Sequence, residues 1–196
     1  GEDLLALLRA HVERDAQLLD VVVVPPAAEV VAAPLILWHC AIFPHSQVVT
    51  TAGVFRQVKE QLWSALKGHQ THLGAGWEIN QCDLHGPNGS RAVGFSTDDA
   101  GKFEGWHNPN LLMIVDEAHM VTTAGFNALL KIVEEPPEHL IFVFATTEPE
   151  KVLPTIRSRT HHYPFRLLPP VAMRGLMERI CAEENVTVQD AVYPLV

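Results

Sequence analysis

Two fully apolar runs in the carboxyl-terminal half of the chain each end in polar residues. Residues 111–115 read LLMIV and lead into Asp116 and Glu117, and residues 140–145 read LIFVFA and lead into Thr146 and Thr147. Apolar runs of this length predict strands that are buried on both faces of a parallel sheet. Because ligand sites in such sheets lie beyond the carboxyl ends of the strands, we expect the two acids and the two threonines at one rim.

Segments with helical periodicity alternate with the predicted strands. Four helices are predicted from apolar residues that recur on one face. The first covers residues 3–19, with Leu5, Leu8, Val12 and Leu19 on one stripe, and the second covers residues 54–67, with Phe55, Val58, Leu62 and Leu66 facing inward. The third is capped by Thr122 and Thr123 and has Phe126, Leu129, Leu130 and Val133 inside, and the fourth follows Pro170, with Met173, Leu176, Met177 and Ile180 on one face. Further strands are predicted over residues 21–24, 47–51, 77–81, 91–95 and 161–165, with a turn at residues 86–89. This alternation predicts an α/β fold with a mostly parallel sheet between two helical layers.

Composition restricts the classes of function. The 196 residues are 47% hydrophobic and 19% charged, which is ordinary for a globular domain. The formal charge of −9 disfavours DNA binding by this chain alone, because phosphate contacts need lysine and arginine. Three scattered cysteines and the lack of a secretory signal pattern indicate a cytoplasmic protein, and the apolar segment at residues 35–43 is too short to span a bilayer.

The pair Asp116–Glu117 after a buried strand is typical of the Walker B element of nucleotide hydrolases. In that chemistry the first acid holds Mg²⁺, directly or through water, and the second orients or deprotonates the attacking water. The alternative is a strand that ends in acids because its edge is solvated.

The sequence around and after these two acids resembles that of a known protein family. The sequence VDEAHMVTTAGFNALLKIVEEPPEHLIFVFATTEPEKVLPTIRSRTHHYPFRLLPP, within residues 112–196, resembles the clamp-loader gamma/tau subunits of bacterial DNA polymerase III. The resemblance implies a P-loop NTPase-like fold of the AAA+ type, binding of ATP and Mg²⁺, and partnership with other clamp-loader subunits, the sliding clamp and, through the assembled complex, primed DNA. It assigns Asp116 and Glu117 as the Walker B acids and Thr147, alone or with Thr146, as the γ-phosphate sensor. Arg159 matches the arginine finger that enters a neighbouring subunit's ATP site.

The first half of the chain departs from this family pattern. A phosphate loop of the form G-x-x-x-x-G-K-[ST] supplies a run of backbone N–H groups and a lysine. Residues 24–29 read VPPAAE, with neither glycine nor lysine, and Gly101–Lys102 is followed by Phe103. We therefore expect the isolated chain neither to bind ATP tightly nor to hydrolyse it appreciably.

The middle of the chain reads LILWHCAIFPHSQVVTTAGVFRQVKEQLW over residues 35–63 and GSRAVGFSTDDAGKFEGWHNPNLLMIVDEA over residues 89–118. Through these segments, residues 34–118 resemble a second family, the ATPase domain of phage large terminases, and the two resemblances meet at LLMIVDEA. The chain is thus interpreted as a composite, with a segment of unclear origin at residues 1–33, an ATPase-like core at 34–169 and the truncated beginning of a helical lid at 170–196. Two functions other than clamp loading stay open: a DNA-packaging ATPase, and a non-catalytic ATPase-like scaffold.

Two polar clusters have competing interpretations. The spacing H-x2-H-x9-C-x2-H places His69, His72, Cys82 and His85 as candidate zinc ligands, but we expect ordinary loop histidines and no zinc. Residues 96–99, STDD, either line a nucleotide cleft or form a turn or helix cap, and we expect the latter.

Overall fold

The computed structural model describes residues 19–23, 28–97, 106, 108–134, 140–164, 169–189 and 193. The chain divides into two compact units, Gly1–Pro164 and Phe165–Val196. The helix predicted over residues 3–19 lies outside the described residues except at Leu19, where the prediction is wrong because Leu19 begins a strand.

The first unit is built on one eight-stranded sheet. Its strands are β1 Leu19–Val23, β2 Gln47–Ala52, β3 Glu78–Asn80, β4 Asp83–His85, β5 Arg91–Ser96, β6 Leu111–Asp116, β7 Leu140–Phe144 and β8 Thr160–Pro164. Their order is β3-β4-β5-β2-β6-β7-β1-β8. The six strands from β5 to β8 in this order are mutually parallel, and β4 and β3 extend the sheet antiparallel. The predicted mostly parallel sheet is confirmed.

Strand β6 lies at the centre of this sheet and is buried on both faces. Leu112 and Ile114 pack into one hydrophobic cluster, and Leu111, Met113 and Val115 pack into the other. Each fully buried side chain of this size contributes roughly 1.5–3 kcal/mol relative to exposure. The continuous apolar run is therefore what a strand needs when both of its faces are covered.

Helices cover both faces. On one face lie α1 Ala28–Ile42, α2 Phe55–Gln57, a π-helical turn Val58–Leu62 and α3 Trp63–Gly68; on the other lies α4 Thr123–Glu134. Helix α1 contains most of the apolar segment predicted at residues 35–43 and includes Pro34 in its interior. The N–H of Gly125 donates to Thr122 Oγ1 at 3.2 Å, so Thr122 caps α4 as expected.

The helix predicted over residues 54–67 is confirmed in outline and wrong in detail. Val58, Leu62 and Leu66 are buried, but Phe55 is 46% exposed. Trp63 takes the interior position instead. Its indole lies where a β-carbon on Gly94 would clash, 2.3 Å from Trp63 Nε1. The π turn adds a residue to the helical repeat, which shifts the buried face away from the pattern of a regular α-helix.

The antiparallel edge of the sheet was only partly predicted. The strand expected at residues 77–81 is Glu78–Asn80, and the chain then turns through Gln81, whose φ is 44°. The unpredicted strand β4 follows at once and pairs with both β3 and β5. The predicted turn at residues 86–89 therefore joins β4 to β5, with Gly89 at φ 78°.

The first unit also contains 3-10 turns at Gln70–His72, Ala118–Met120 and Pro149–Lys151, and the short helix α5 Pro154–Arg157. The second unit contains helix α6, Pro170–Glu183. Helix α6 agrees with the predicted periodicity at Met173, Leu176 and Met177, which are partly covered, but the prediction is wrong for Ile180, which is 48% exposed. None of the helices among the described residues has both the length and the apolar character that a membrane span requires.

Candidate functional site

The carboxyl rim of the sheet brings Asp116 and Thr146 together. Asp116 is paired in register with Ala52 on one side, and Val115 is paired with Phe144 of β7 on the other. Both rim side chains are almost fully buried, at 4% exposure for Asp116 and 1% for Thr146. The rim predicted from the two apolar runs is therefore formed by adjacent strands.

Glu117 follows in a left-handed backbone conformation, with φ 44° and ψ 52°. Its N–H donates to Asp116 Oδ1 at 3.0 Å, and its carbonyl accepts from Met120 N–H at 2.8 Å. The next residue, Ala118, donates its N–H to Ala145 O at 2.9 Å. The left-handed residue ends β6 abruptly and directs the chain across the end of β7, at a cost of about 1–2 kcal/mol for a non-glycine residue.

This turn places His119 against the threonine strand. His119 Nδ1 lies 2.9 Å from Thr146 Oγ1, and Thr146 Oγ1 also accepts from the N–H of Glu148 at 3.1 Å. Thr147 is exposed. Of the two predicted sensor threonines, Thr146 is therefore the one in contact with the turn that carries the acids.

A charged pair flanks the threonine. The Lys151 ammonium forms an ion pair with Glu148 Oε2, and that oxygen lies 3.8 Å from His119 Nε2. The hydrogen bond from Lys151, reinforced by the charge of Lys151, lowers the pKa of the Glu148 carboxyl. Glu148 is therefore ionised at neutral pH and offers His119 a second carboxylate neighbour.

The carboxylate of Glu117 has one oxygen without a hydrogen bond. Its Oε2 atom is buried and lies 3.3 Å from His119 Nδ1, although this approach does not meet the geometry of a hydrogen bond. A buried carboxylate oxygen is an acceptor that costs free energy until a donor or a cation satisfies it. The site therefore keeps an unsatisfied anionic atom beside Asp116.

Arg159 lies at a different part of the sheet. It immediately precedes β8, three interstrand spacings from β6, which is about 14 Å. Its Nη1 donates to Thr155 O at 3.1 Å, and its side chain is exposed. Arg159 precedes its strand whereas Glu117 follows the end of β6, so the two residues lie at different ends of their parallel strands.

A cavity of about 440 Å³ lies beside the threonine end of the rim. It is lined by Thr146, Pro149, Val152, Pro154, Arg157, Ser158, Thr160 and His162. Only Thr146 belongs to both the cavity and the predicted site. The acids Asp116 and Glu117 do not line the cavity.

The rim fits part of a Mg²⁺–triphosphate site. Mg²⁺ is usually held by one or two carboxylates together with waters and substrate phosphates, which Asp116 and the unsatisfied oxygen of Glu117 can satisfy. The phosphate cradle does not fit: β1 and α1 form the expected strand and helix, but the residues between them contribute Pro25 and Pro26, which have no N–H to donate. Residues 24–27 lie outside the described residues.

The other two polar clusters have different outcomes. In the portion of the chain that the structure describes, no three His, Cys, Asp or Glu side chains converge as metal ligands. The N–H and Oγ1 of Thr97 donate to Ala52 O at 3.1 and 3.3 Å, so Thr97 holds the end of β5 against β2. Asp98 and Asp99 fall outside the described residues.

His119 is the site residue that the sequence analysis missed. One feature of the sequence could have identified it: His119 lies two residues after Glu117. The segment around it has no apolar periodicity and connects a predicted strand to a capped helix. A polar residue there lies in a tight turn at the rim, so its side chain cannot be far from the strand ends.

The part of the chain that contains these site residues is similar to subunits of bacterial DNA polymerase III. A family model described as DNA polymerase III, delta subunit, matches residues 99–169, which include Asp116, Glu117, Thr146, Thr147 and Arg159. The gamma/tau subunit of DNA polymerase III from Mycobacterium bovis is 85% identical over 85 residues, 43% of this chain and 15% of that protein. The tau subunit of Bacillus subtilis is 43% identical over 83 residues, 42% of this chain and 15% of that protein. The chain thus spans a small part of these relatives.

Solved structures resemble the fold over more of the chain. The Thermotoga maritima RuvB Holliday junction branch migration motor aligns with a TM-score of 0.58 and 15% identity, covering 98% of this chain and 53% of that one. The large terminase of a thermophilic bacteriophage aligns with a TM-score of 0.57 and 11% identity, covering 78% of this chain and 41% of that one. At these identities the likeness concerns the fold alone, and it confirms the predicted α/β class with a mostly parallel sheet.

Proposed function

We propose that this chain is a clamp-loader-type subunit of bacterial DNA polymerase III that keeps the ATPase fold and hydrolyses little or no ATP by itself. The observation that supports this most is the 85% identity with the gamma/tau subunit of Mycobacterium bovis over 85 residues. Its partners would be the other clamp-loader subunits and the sliding clamp. Primed DNA would be bound by the assembled complex, because this chain carries a formal charge of −9.

The proposed roles follow the geometry of the rim. Asp116 would hold Mg²⁺, and Glu117 would orient the attacking water, beside the buried Thr146. Thr146 replaces Thr147 as the main sensor candidate, because Thr146 is the one hydrogen-bonded to the turn that carries the acids. Arg159 would act on a neighbouring subunit's nucleotide, since it is exposed and lies away from this chain's own acids.

Weak hydrolysis follows from the missing cradle. Catalysis of phosphoryl transfer depends mainly on positioning and electrostatic stabilisation, and both begin with the backbone amides and the lysine of the phosphate loop. Two acids and a metal without that loop leave the triphosphate unpositioned. We expect ATP to bind weakly and to turn over at the background rate.

A phosphate-release assay tests the catalytic half of the proposal. The purified full chain with ATP and Mg²⁺ should release inorganic phosphate at the same rate as its Glu117→Gln variant. The exposed Glu60→Gln variant serves as the matched control for loss of one charge. Turnover that disappears in Glu117→Gln and persists in Glu60→Gln would overturn the proposed catalytic incompleteness.

A reconstitution assay tests the partnership and the role of Arg159. The other clamp-loader subunits of Mycobacterium bovis should be retained on the immobilised chain. Loss of an arginine finger typically lowers hydrolysis by ~10³–10⁵. ATP hydrolysis by a neighbouring subunit with an intact phosphate loop should therefore fall steeply with Arg159→Ala and stay unchanged with Arg56→Ala, another exposed arginine. Failure of the subunits to bind would contradict the clamp-loader assignment.

The other two functions make different predictions in the same assay. A DNA-packaging ATPase or a lone scaffold should not retain clamp-loader subunits. The resemblance to the terminase supports the fold and not the activity, because the identity with that structure is 11%. The sequence similarity to gamma/tau subunits therefore favours the clamp loader.

A further inference from the structure

His119 contacts three groups at the carboxyl rim: Glu117 after β6, and Thr146 and Glu148 in the loop after β7. Its imidazole lies on the 3-10 turn after the acids, and its side chain is 15% exposed. Nδ1 lies 2.9 Å from Thr146 Oγ1 and 3.3 Å from Glu117 Oε2, while Nε2 lies 3.8 Å from Glu148 Oε2. One ring nitrogen is therefore shared between the second acid and the rim threonine.

Hydrogen-bond acceptors outnumber donors around Nδ1 of His119. The Glu117 carboxylate is an acceptor only, and Thr146 Oγ1 already accepts the N–H of Glu148 at 3.1 Å. A carboxylate oxygen beside Nδ1 favours the tautomer that carries the proton on that nitrogen. A single Nδ1–H then faces two acceptors: Thr146 Oγ1 makes the shorter contact, at 2.9 Å, and the buried Glu117 Oε2 has no hydrogen bond.

The carboxylate opposite the imidazole, that of Glu148, is held in place. Glu148 is tied to Thr146 through its backbone N–H and to Lys151 through its carboxylate. The backbone beneath His119 is fixed as well, because Ala118 N–H donates to Ala145 O at 2.9 Å. With both flanks held, a small change in χ angles suffices to move Nδ1–H from Thr146 to Glu117.

We propose that His119 is a positioning residue that donates its Nδ1–H alternately to Thr146 and to Glu117, and so couples the direction of the Glu117 carboxylate to the state of the Thr146 hydroxyl. When Thr146 holds the proton donor, Glu117 is free to turn toward a metal or a water. When Thr146 releases it, Glu117 Oε2 gains a hydrogen bond and is held in place. The consequence for catalysis rests on the proposed function; the hydrogen-bond exchange does not.

Nitrogen-15 NMR of the histidine side chains in the full chain tests this exchange without nucleotide or partner. The His119 signals are assigned by their loss in His119→Gln. We expect a protonated Nδ1 in the unsubstituted chain. In Thr146→Val the Nδ1–H resonance should move, because the hydrogen bond from Nδ1–H passes to Glu117 while the proton stays on the nitrogen. In Thr146→Val with Glu117→Gln the shift should be smaller, because the charged acceptor has gone.

Thr147→Val is the matched control, since Thr147 is the adjacent threonine and is exposed. It should leave the His119 signals unchanged, and circular dichroism checks that every variant is folded. An unprotonated Nδ1, or the same His119 resonance in Thr146→Val as in the unsubstituted chain, would overturn the proposal. Because no partner or ATP takes part, failure of clamp-loader binding leaves this result unaffected, and the reverse also holds.

Discussion

The backbone N–H of Glu117 donates a 3.0 Å hydrogen bond to Asp116 Oδ1, so the second acid of the pair orients the first. This contact exists because Glu117 adopts a left-handed conformation, with φ 44°. Residues other than glycine are strained there, and such strain is typically found at functional sites. The geometry of the acid pair is thus maintained at the expense of local stability.

Replacement of Glu117 by glycine should therefore stabilise the fold more than replacement by alanine. Both variants remove the same carboxylate, but glycine adopts positive φ without steric cost. We expect Glu117→Gly to exceed Glu117→Ala by about 1 kcal/mol in free energy of unfolding. Urea denaturation measures the difference.

Asn127 provides the matched control for this comparison, because it is exposed in the interior of helix α4. At Asn127 the alanine variant should have the higher free energy of unfolding, by about 1 kcal/mol, since helix propensity favours alanine over glycine. The same order of alanine and glycine at both positions would contradict the strain at Glu117.

Thr50 and Thr51 are adjacent buried threonines with different hydrogen bonding. Thr50 Oγ1 accepts from Trp63 Nε1 at 2.9 Å and donates to Val93 O at 3.0 Å, whereas Thr51 Oγ1 has no partner. Thr50→Val should destabilise by about 1–3 kcal/mol, because it leaves a buried indole N–H unsatisfied. Thr51→Val should be neutral or stabilising. Equal effects in thermal or urea unfolding would show that the Trp63 bond contributes little.

His39 should make the stability depend on acid pH. Burial lowers its pKa from 6.5 to about 4, and its Nδ1 has no hydrogen-bond partner. Between these values the unfolded chain binds a proton that the folded chain does not, so stability is greatest above pH 6.5 and falls as the pH drops toward 4. The loss should reach about 3 kcal/mol.

The His39→Leu variant isolates this contribution from other titrating groups. Urea unfolding at a series of pH values between 4 and 7 should give a shallower dependence on pH in the variant than in the unsubstituted chain. Parallel curves for the two proteins would exclude His39 as the source.

The cysteines should differ in reactivity toward a thiol reagent at pH 8. Burial raises the pKa of Cys40 to about 11, and its side chain is fully buried, whereas Cys181 is partly exposed. Because the thiolate is the reactive form, Cys181 should be modified first and Cys40 only after unfolding. Mass spectrometry of peptides from chains labelled with and without urea identifies the modified residues. Labelling of Cys40 in the native chain would contradict the burial.

Strand β6 and the capped helix α4 could be predicted because local sequence and tertiary environment agree. The apolar run at residues 111–115 suits a strand with two buried faces. Helix α4 is capped by Thr122, which lies only three residues before the N–H that it binds. Strand β4 could not be predicted, since the three residues Asp83–His85 have no apolar periodicity and are held by pairing with two neighbours. Trp63 was missed as a core residue because the π turn changes the helical repeat, and Phe55 is exposed at the first residue of its helix.

The sequence by itself determined which strands end in acids and threonines, because burial on two faces requires an uninterrupted apolar run and the polar residues mark where it stops. It also determined that no glycine-rich phosphate loop follows the first strand. Only the tertiary structure decided that Thr146 rather than Thr147 contacts the turn that carries the acids, and that His119 makes this contact. Those contacts depend on strand order and on one left-handed residue, and pairing between distant segments leaves no periodic trace in the sequence.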